Sequence, residues 1–378
     1  MNNKVSEIES LVPVFDGHND VLSQLWLNHH QQPEHAFLQG PACGHLDLPR
    51  CREAGFAGGL FAAYVSSPKL PSVATDSGDT ANIVPGCGID TRFLLEGTKK
   101  HPDFSPTPDL NSARDVTIGM MAFLLRIEKS SAGAVKICRS AHEIRQAMQN
   151  QALAVVMHIE GAEAIDPDLY LLDVLYAMGL RSIGPVWSRP NIFGHGVPFK
   201  FPSTPDLGPG LTDLGIRLVK ACNEKRIMVD LSHLDEKGFW QVAKHSDAPL
   251  VASHSNAHAL SAQSRNLTDK QLAAIKESGG FVGVNFGMSF LREDGQKSPD
   301  ATVHDMVRHM DYLLEKLGED HVGFGSDFDG VTLTPDMVDV RGLHKLVAAL
   351  REAGYNQALL EKVCHKNWIK VLERTWGQ

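Results

Sequence analysis

The 378-residue chain is poor in cysteine, has no long apolar run, carries no excess of basic charge and shows no internal repeat. Its six cysteines are Cys43, Cys51, Cys87, Cys138, Cys222 and Cys364; none forms a Cys-x-x-Cys pair and none sits beside a histidine cluster. They are too sparse for a disulfide scaffold in a chain of this length and are read as reduced thiols. No stretch reaches the roughly eighteen consecutive apolar residues a membrane span needs, so no span is expected. Met1 to Ser10 lacks the apolar core of a secretory signal, and the closing residues Glu373 to Gln378 carry no hydrophobic tail. A cytoplasmic location follows by default. With 36 Lys and Arg against 45 Asp and Glu the net charge is -9, which argues against a nucleic-acid or anionic-membrane partner. The lack of a fixed period excludes a solenoid or a propeller.

What is present is a large apolar fraction, 43%, enough for one large core, and the expectation is a single domain over 1–378. Short apolar, β-branched runs alternate with helical stretches. The candidate strands are Val12 to His18, Ala57 to Val65, Leu153 to Glu160, Arg181 to Trp187, Ile227 to His233, Pro249 to Ser255, Gly280 to Phe286 and His321 to Asp327. They read as continuous apolar runs, as strands covered on both faces do. Helical period marks Leu211 to Lys225, Leu267 to Ser278 with Thr268 as N-cap, Ala301 to Leu317, Asp339 to Ala353 and a final helix over Asn356 to Thr375. Ser66 to about Ser131 reads as an irregular connection with a helical run near Thr117 to Glu128, and Gly194 to Gly210 as a second long loop. Eight strand–helix alternations predict an α/β fold, a (β/α)8 TIM-type barrel with long β-to-α loops and a C-terminal helix.

Polar side chains that bind metals gather at the C-terminal ends of the apolar runs. The runs end in Asp16-Gly17-His18-Asn19-Asp20, His158-Ile159-Glu160, Asp230-Leu231-Ser232-His233, Ser253-His254-Ser255 and Gly325-Ser326-Asp327-Phe328-Asp329. In a barrel these ends converge on one mouth. His18 and Asp20, two apart on a strand, point the same way and can share a cation; a solvated turn is the alternative. Glu160 closes a buried run, where a carboxylate needs a salt bridge or a metal. His158 shares its face and is read as a core or supporting histidine. His233 and His254 end adjacent runs and are either ligands or hydrogen-bonded core residues. Asp327 and Asp329 have strand spacing: one is placed to carry a proton, the other to brace the loop. His195 is read as a loop residue, and His258 is set aside. Five strand ends polar in one direction favour a shared metal centre.

These motifs, with Glu160-Gly161 and Arg265-Asn266, resemble the membrane (renal) dipeptidase family of binuclear zinc peptidases, in order from about residue 12 to 375. The resemblance implies a (β/α)8 barrel with two zinc ions per chain. His18 and Asp20 would hold one, His233 and His254 the other, and Glu160 would bridge them. Imidazole and carboxylate without thiolate suit zinc, and also admit manganese or iron(II). It further implies hydrolysis of a dipeptide amide by a hydroxide between the metals, Asp327 as catalytic acid and base, Arg265 on the substrate carboxylate, a small-molecule substrate and a homodimer.

Two positions depart from the family pattern. A histidine is common there at the end of the fourth strand, 27 residues after Glu160; this chain has Trp187. A tyrosine often follows the Asn-Phe pair of the seventh strand; Gly287 follows Asn285-Phe286. Trp187 is read as an apolar wall or cation–π surface for substrate, or as packing at the rim. Two alternatives stand beside the dipeptidase. One is a related binuclear amidohydrolase acting on another amide, an N-acyl amino acid or a lactam, although such enzymes typically show His-x-His where this chain has His-x-Asp. The other is a non-catalytic metal-binding homologue.

Overall fold

A computed structural model of the chain describes residues 11–68 and 104–377. Among the described residues nine strands follow in order: β1 (Val14–Asn19), β2 (Phe56–Tyr64), β3 (Val135–Ile137), β4 (Leu153–Glu160), β5 (Leu180–Gly184), β6 (Met228–Val229), β7 (Val251–Ala252), β8 (Phe281–Val284) and β9 (Val322–Phe324). The pairings between these strands are all parallel. One curled sheet has the order β1-β2-β4-β5-β6 with β3 on the side of β4, and a second has the order β7-β8-β9. Isolated parallel bridges Asp230–Val251 and Asn19–Phe328 lie between β6 and β7 and between β9 and β1. Each expected strand has a counterpart, while β3 was not expected.

Helices cover the outer side. The helix Asp269–Glu277 starts as expected at Thr268, whose hydroxyl receives the Gln271 amide while the Gln271 side chain returns to the cap. The segment after β2 is less irregular than its composition suggests, because Leu110–Ser130 is one helix, started by Asp109. Residues 69–103 of that connection lie outside the described residues. The expected final helix is broken into Gln357–Glu361, a π-turn over Lys362–Lys366 and Asn367–Trp376.

Strand alternation divides the core in two. Phe15, Leu60, Val156, Met228, Val251 and Phe281 pack on one side with Trp368, Ile369, Leu372 and Trp376 of the last helix. Their neighbours Val14, Phe61, Val155, Met157, Val229, Ala252 and Val282 pack against the surrounding helices. Trp368 is fully buried, and its indole N–H donates to the Phe324 carbonyl at 2.7 Å. Gly17 makes this possible: a Cβ there would collide with the Trp368 ring and the Ser253 carbonyl.

The cysteine expectation needs correction. Cys43 is disulfide-bonded. Cys51, Cys138, Cys222 and Cys364 are free and buried, and Cys87 lies outside the described residues. Among the described residues no helix is long and apolar enough to cross a membrane.

Candidate metal centre

The parallel register sets Tyr64, Glu160 and Gly184 side by side at the ends of β2, β4 and β5. His18 is inside β1, and Asp20 precedes the helix Val21–Asn28. His233 and His254 do not end their strands as expected; they lie in turns four residues past β6 and two past β7. Those turns leave the ladder because side chains take the backbone N–H groups. Asp230 Oδ1 accepts from the amides of Ser232 (3.1 Å) and Ser253 (2.8 Å). Asp327, three residues past β9, has a positive φ of 59°, and Asp329 one of 70°. Such backbone is uncommon outside glycine and gathers at functional sites.

Glu160 is the centre of the cluster. Its Oε1 lies 2.7 Å from His233 Nε2, 3.3 Å from His254 Nε2 and 3.6 Å from His18 Nε2. The Nε2 atoms of His233 and His254 are 3.0 Å apart. His18 Nε2 is also 3.4 Å from Asp20 Oδ2 and 4.0 Å from Asp327 Oδ1. All six side chains are buried. Residues from positions 18 to 327, expected to share one mouth, are brought together.

Hydroxyls aim the imidazoles. Ser188 Oγ lies 2.8 Å from His233 Nδ1, and Ser253 Oγ lies 2.7 Å from His254 Nδ1, leaving each Nε2 turned to Glu160. Outer partners of this kind fix ring orientation at metal sites. Ser253 in turn donates to Asp230. Asn285 Nδ2 donates to Asp327 Oδ2 at 2.6 Å. These supporting residues were not singled out from sequence. Asp230, Ser253 and Asn285 stand inside or beside the quoted motifs, but only folding reveals their partners.

The charges call for a cation. Burial pushes Glu160 well above the ordinary carboxylate range, and neighbouring Asp20 and Asp327 add to this against the opposing pull of His18. Burial likewise lifts Asp327 to about 6. Burial opposes charge on His18, yet Glu160, Asp20 and Asp327 outweigh it and carry the imidazole up to about 10. His233 and His254 are driven well below the usual histidine range, first by burial and then by nearby positive charge, including Arg265. Neutral imidazoles are the form that binds metals. Both His18 nitrogens and Asp20 Oδ1 are buried without a hydrogen-bond partner. The sets His18, Asp20 and Glu160, and Glu160, His233 and His254, each bring three ligand atoms within 4.8 Å of one another. Donors of this type and spacing fit one or more divalent cations.

The other candidate residues separate clearly. His158 is buried behind the cluster, its Nδ1 2.8 Å from Ser182 Oγ and its ring 5.3 Å from that of His18. Asp329 turns away from His18: its Oδ1 accepts the His45 amide at 2.6 Å, and its own amide donates to His45 Nδ1 at 2.8 Å. His195 is outside the cluster, its carbonyl accepting the Asp235 amide at 3.2 Å. Arg265 is inside, with Nη2 3.3 Å from His233 Nε2 and Nε without a partner. Trp187 borders the cluster, its ring centroid 5.9 Å from that of His233. Behind it lies a pair that sequence reading missed. Arg189 and Glu163, both fully buried as side chains, meet at 2.8 Å.

A family model described as membrane dipeptidase, peptidase family M19, matches residues 2–376. The chain belongs to that family. As a member it is a metal-dependent hydrolase. It is similar to a solved dipeptidase AC, a metallo peptidase of family M19, and to a solved metallo peptidase from Rhodobacter sphaeroides. Each is 49% identical, with a TM-score of 0.86 over 97% of this chain and 100% of that one. The Rhodobacter protein was solved with a phosphinate mimic of the dipeptide L-Ala-D-Ala. An uncharacterized protein from the pqqA 5' region of Klebsiella pneumoniae is 49% identical over 264 residues, 70% of this chain and 97% of its own length. Family membership favours the dipeptidase over the amidohydrolase-type alternative.

Proposed function

We propose that the chain is a dipeptidase working with two divalent cations, zinc by preference, at the mouth of a closed (β/α)8 barrel formed by residues 1–378 as one domain. The observation that carries this is the approach of three imidazole Nε2 atoms, from His18, His233 and His254, to a single oxygen of Glu160. His18 and Asp20 would hold one cation and His233 and His254 the other, with Glu160 shared. Bound there, the cations supply Lewis acidity, which polarises a scissile carbonyl and draws the pKa of water towards neutrality. The bridges Asp230–Val251 and Asn19–Phe328 support the closed barrel. The disulfide at Cys43 removes one argument for a cytoplasmic location.

The side chains divide the remaining work. Asp327, raised by burial to about 6 and oriented by Asn285, takes a proton from the attacking water and returns it to the leaving amine nitrogen. Arg265 keeps Nε unpartnered and is only 4% exposed, so a substrate carboxylate meets a desolvated guanidinium with donors to spare. That contact fixes the C-terminal residue and hence the register of the amide bond. The dipeptide mimic bound by the Rhodobacter sphaeroides relative supports a dipeptide substrate here.

The test is metal analysis with kinetics. Purified protein should hold about two divalent metals per chain, hydrolyse alanyl dipeptides, lose activity on chelation and regain it with zinc or manganese. Asp327→Asn should retain metal and lose at least about 100-fold in turnover. A metal-replete Asp327→Asn enzyme with ordinary rates would remove Asp327 from the mechanism, and failure to cleave any dipeptide would favour a non-catalytic homologue.

A further inference from the structure

We propose that an aromatic wall beside His233 and Arg265 selects dipeptides whose C-terminal residue carries a large, uncharged apolar side chain. This rests on the reading of Arg265 as the carboxylate anchor. Three rings form the wall. Phe199 lies 5.5 Å from Trp187 and stacks on Phe290 at 6.1 Å and 28°. It meets the His233 ring edge-on at 6.5 Å and 90°. Phe290 carries the Arg265 guanidinium over its ring at 5.8 Å.

Backbone ties place these rings on either side of Arg265. Phe199 is bracketed by Val197, whose amide donates to the His233 carbonyl (2.9 Å), and by Lys200, whose amide donates to Ser264 Oγ (3.1 Å). The Phe290 carbonyl accepts from Asn266 Nδ2 at 2.9 Å. The chain segments before and after Arg265 therefore hold one ring each. Trp187 and Phe290 are 8% and 7% exposed, but Phe199 is 51% exposed. A large ring so anchored, half open to water beside a desolvated cation, is an unfilled apolar contact.

The two departures from the family pattern fit together here. A Cβ at Gly287 would stand 2.9 Å from the Phe290 ring, so Phe290 leaves no room for a side chain at 287. Where the family commonly has histidine and tyrosine, this chain presents indole and phenyl carbon. A cationic side chain is the poorer occupant, because the Arg189 guanidinium already lies 5.1 Å from the Trp187 ring and 5.5 Å from that of Tyr64. A carboxylate bound at Arg265 puts the side chain of the same residue against Phe199 and Phe290.

The experiment compares kcat/KM of the metal-loaded full chain on alanyl dipeptides ending in Ala, Leu, Phe, Asp or Lys, in both C-terminal configurations. Leu and Phe should exceed Ala by about 10- to 100-fold in at least one configuration, with Asp and Lys below Ala. Phe199→Ala should bring the Phe-to-Ala ratio to within about threefold of unity, and Phe199→Leu should restore part of it. A flat profile, a preference for charged residues, or an unchanged ratio in Phe199→Ala overturns the inference while leaving the dipeptidase reading intact. Hydrolysis of no member overturns both.

Discussion

Replacing Glu163 by Leu should destabilise the protein by about 3–5 kcal/mol, the range found when one partner of a buried ion pair is removed. Both side chains are fully buried, so Arg189 would keep its charge with no compensating carboxylate. Its remaining partners are neutral: Ser67 Oγ at 2.7 Å and the Val65 carbonyl at 2.6 Å. At about 2.1 cal/mol/K per residue, unfolding 378 residues carries an entropy of about 0.8 kcal/mol/K, so a loss of 4 kcal/mol lowers Tm by about 5 °C. Differential scanning calorimetry at fixed free zinc would measure this, since metal binding itself raises Tm. Arg189→Met should cost a similar amount, because it strips the Val65 carbonyl of a donor as well. The double variant should recover most of the loss, leaving about 1–2 kcal/mol for that carbonyl. Additive single effects, or single effects below about 1 kcal/mol, would show that the pair is not coupled as its burial demands.

His309 makes stability sensitive to acid. Its Nδ1 accepts the Ala257 amide at 3.2 Å and its Nε2 donates to the Leu291 carbonyl at 2.9 Å, a pattern only the neutral ring satisfies. Burial, despite the Leu291 bond and aided by Arg308, holds it down at about 4. The unfolded ring takes a proton below about 6.5, so the contribution is whole above that pH and falls by about 3 kcal/mol as pH drops through 4. Urea midpoints from pH 7.5 to 4.5 should decline less steeply in His309→Gln than in wild type; parallel declines would count against it. Gly287→Ala should lower kcat/KM, because its Cβ would stand 3.0 Å from Asn285 Oδ1 as well as 2.9 Å from Phe290. The backbone at 287 has φ -67°, so the cost is steric, about 1–3 kcal/mol, and Phe290→Leu in the same chain should relieve it. Thermal melts and kinetics of both variants would show whether it does.

Much of the architecture was legible because strands covered on both faces leave continuous apolar runs, as in Leu153–Glu160, predicted to the residue. Strands β6 and β7 were read too long. Near their apparent ends the amides of Ser232, Ser253 and His254 go to side-chain oxygens of Asp230 and Ser232, which breaks the ladder there. Strand β3 escaped notice because three residues carry too little periodicity. The side chains that cluster were legible as polar endings, but their pattern alone did not divide Asp327 from Asp329; only the family resemblance singled out Asp327. Two left-handed residues turn them to opposite partners, where strand alternation would have paired them. Trp187 was singled out from sequence and its ring lies 5.9 Å from that of His233, yet Phe199 and Phe290 were not suspected, since an isolated phenylalanine in a loop carries no periodic signal. Arg189 and Glu163 were likewise hidden, 26 positions apart with nothing to link them before folding.

The amide of Asp327 donates to the His18 carbonyl at 3.0 Å, and Asp16 receives both the amide and the hydroxyl of Ser326. The opening and closing strands thus clasp each other at the centre itself. A ribosome must deliver most of the polypeptide before any nascent form can bring Asp327 to the cluster of His18, Glu160 and His254, so products truncated before position 327 should be inert however well their earlier helices form.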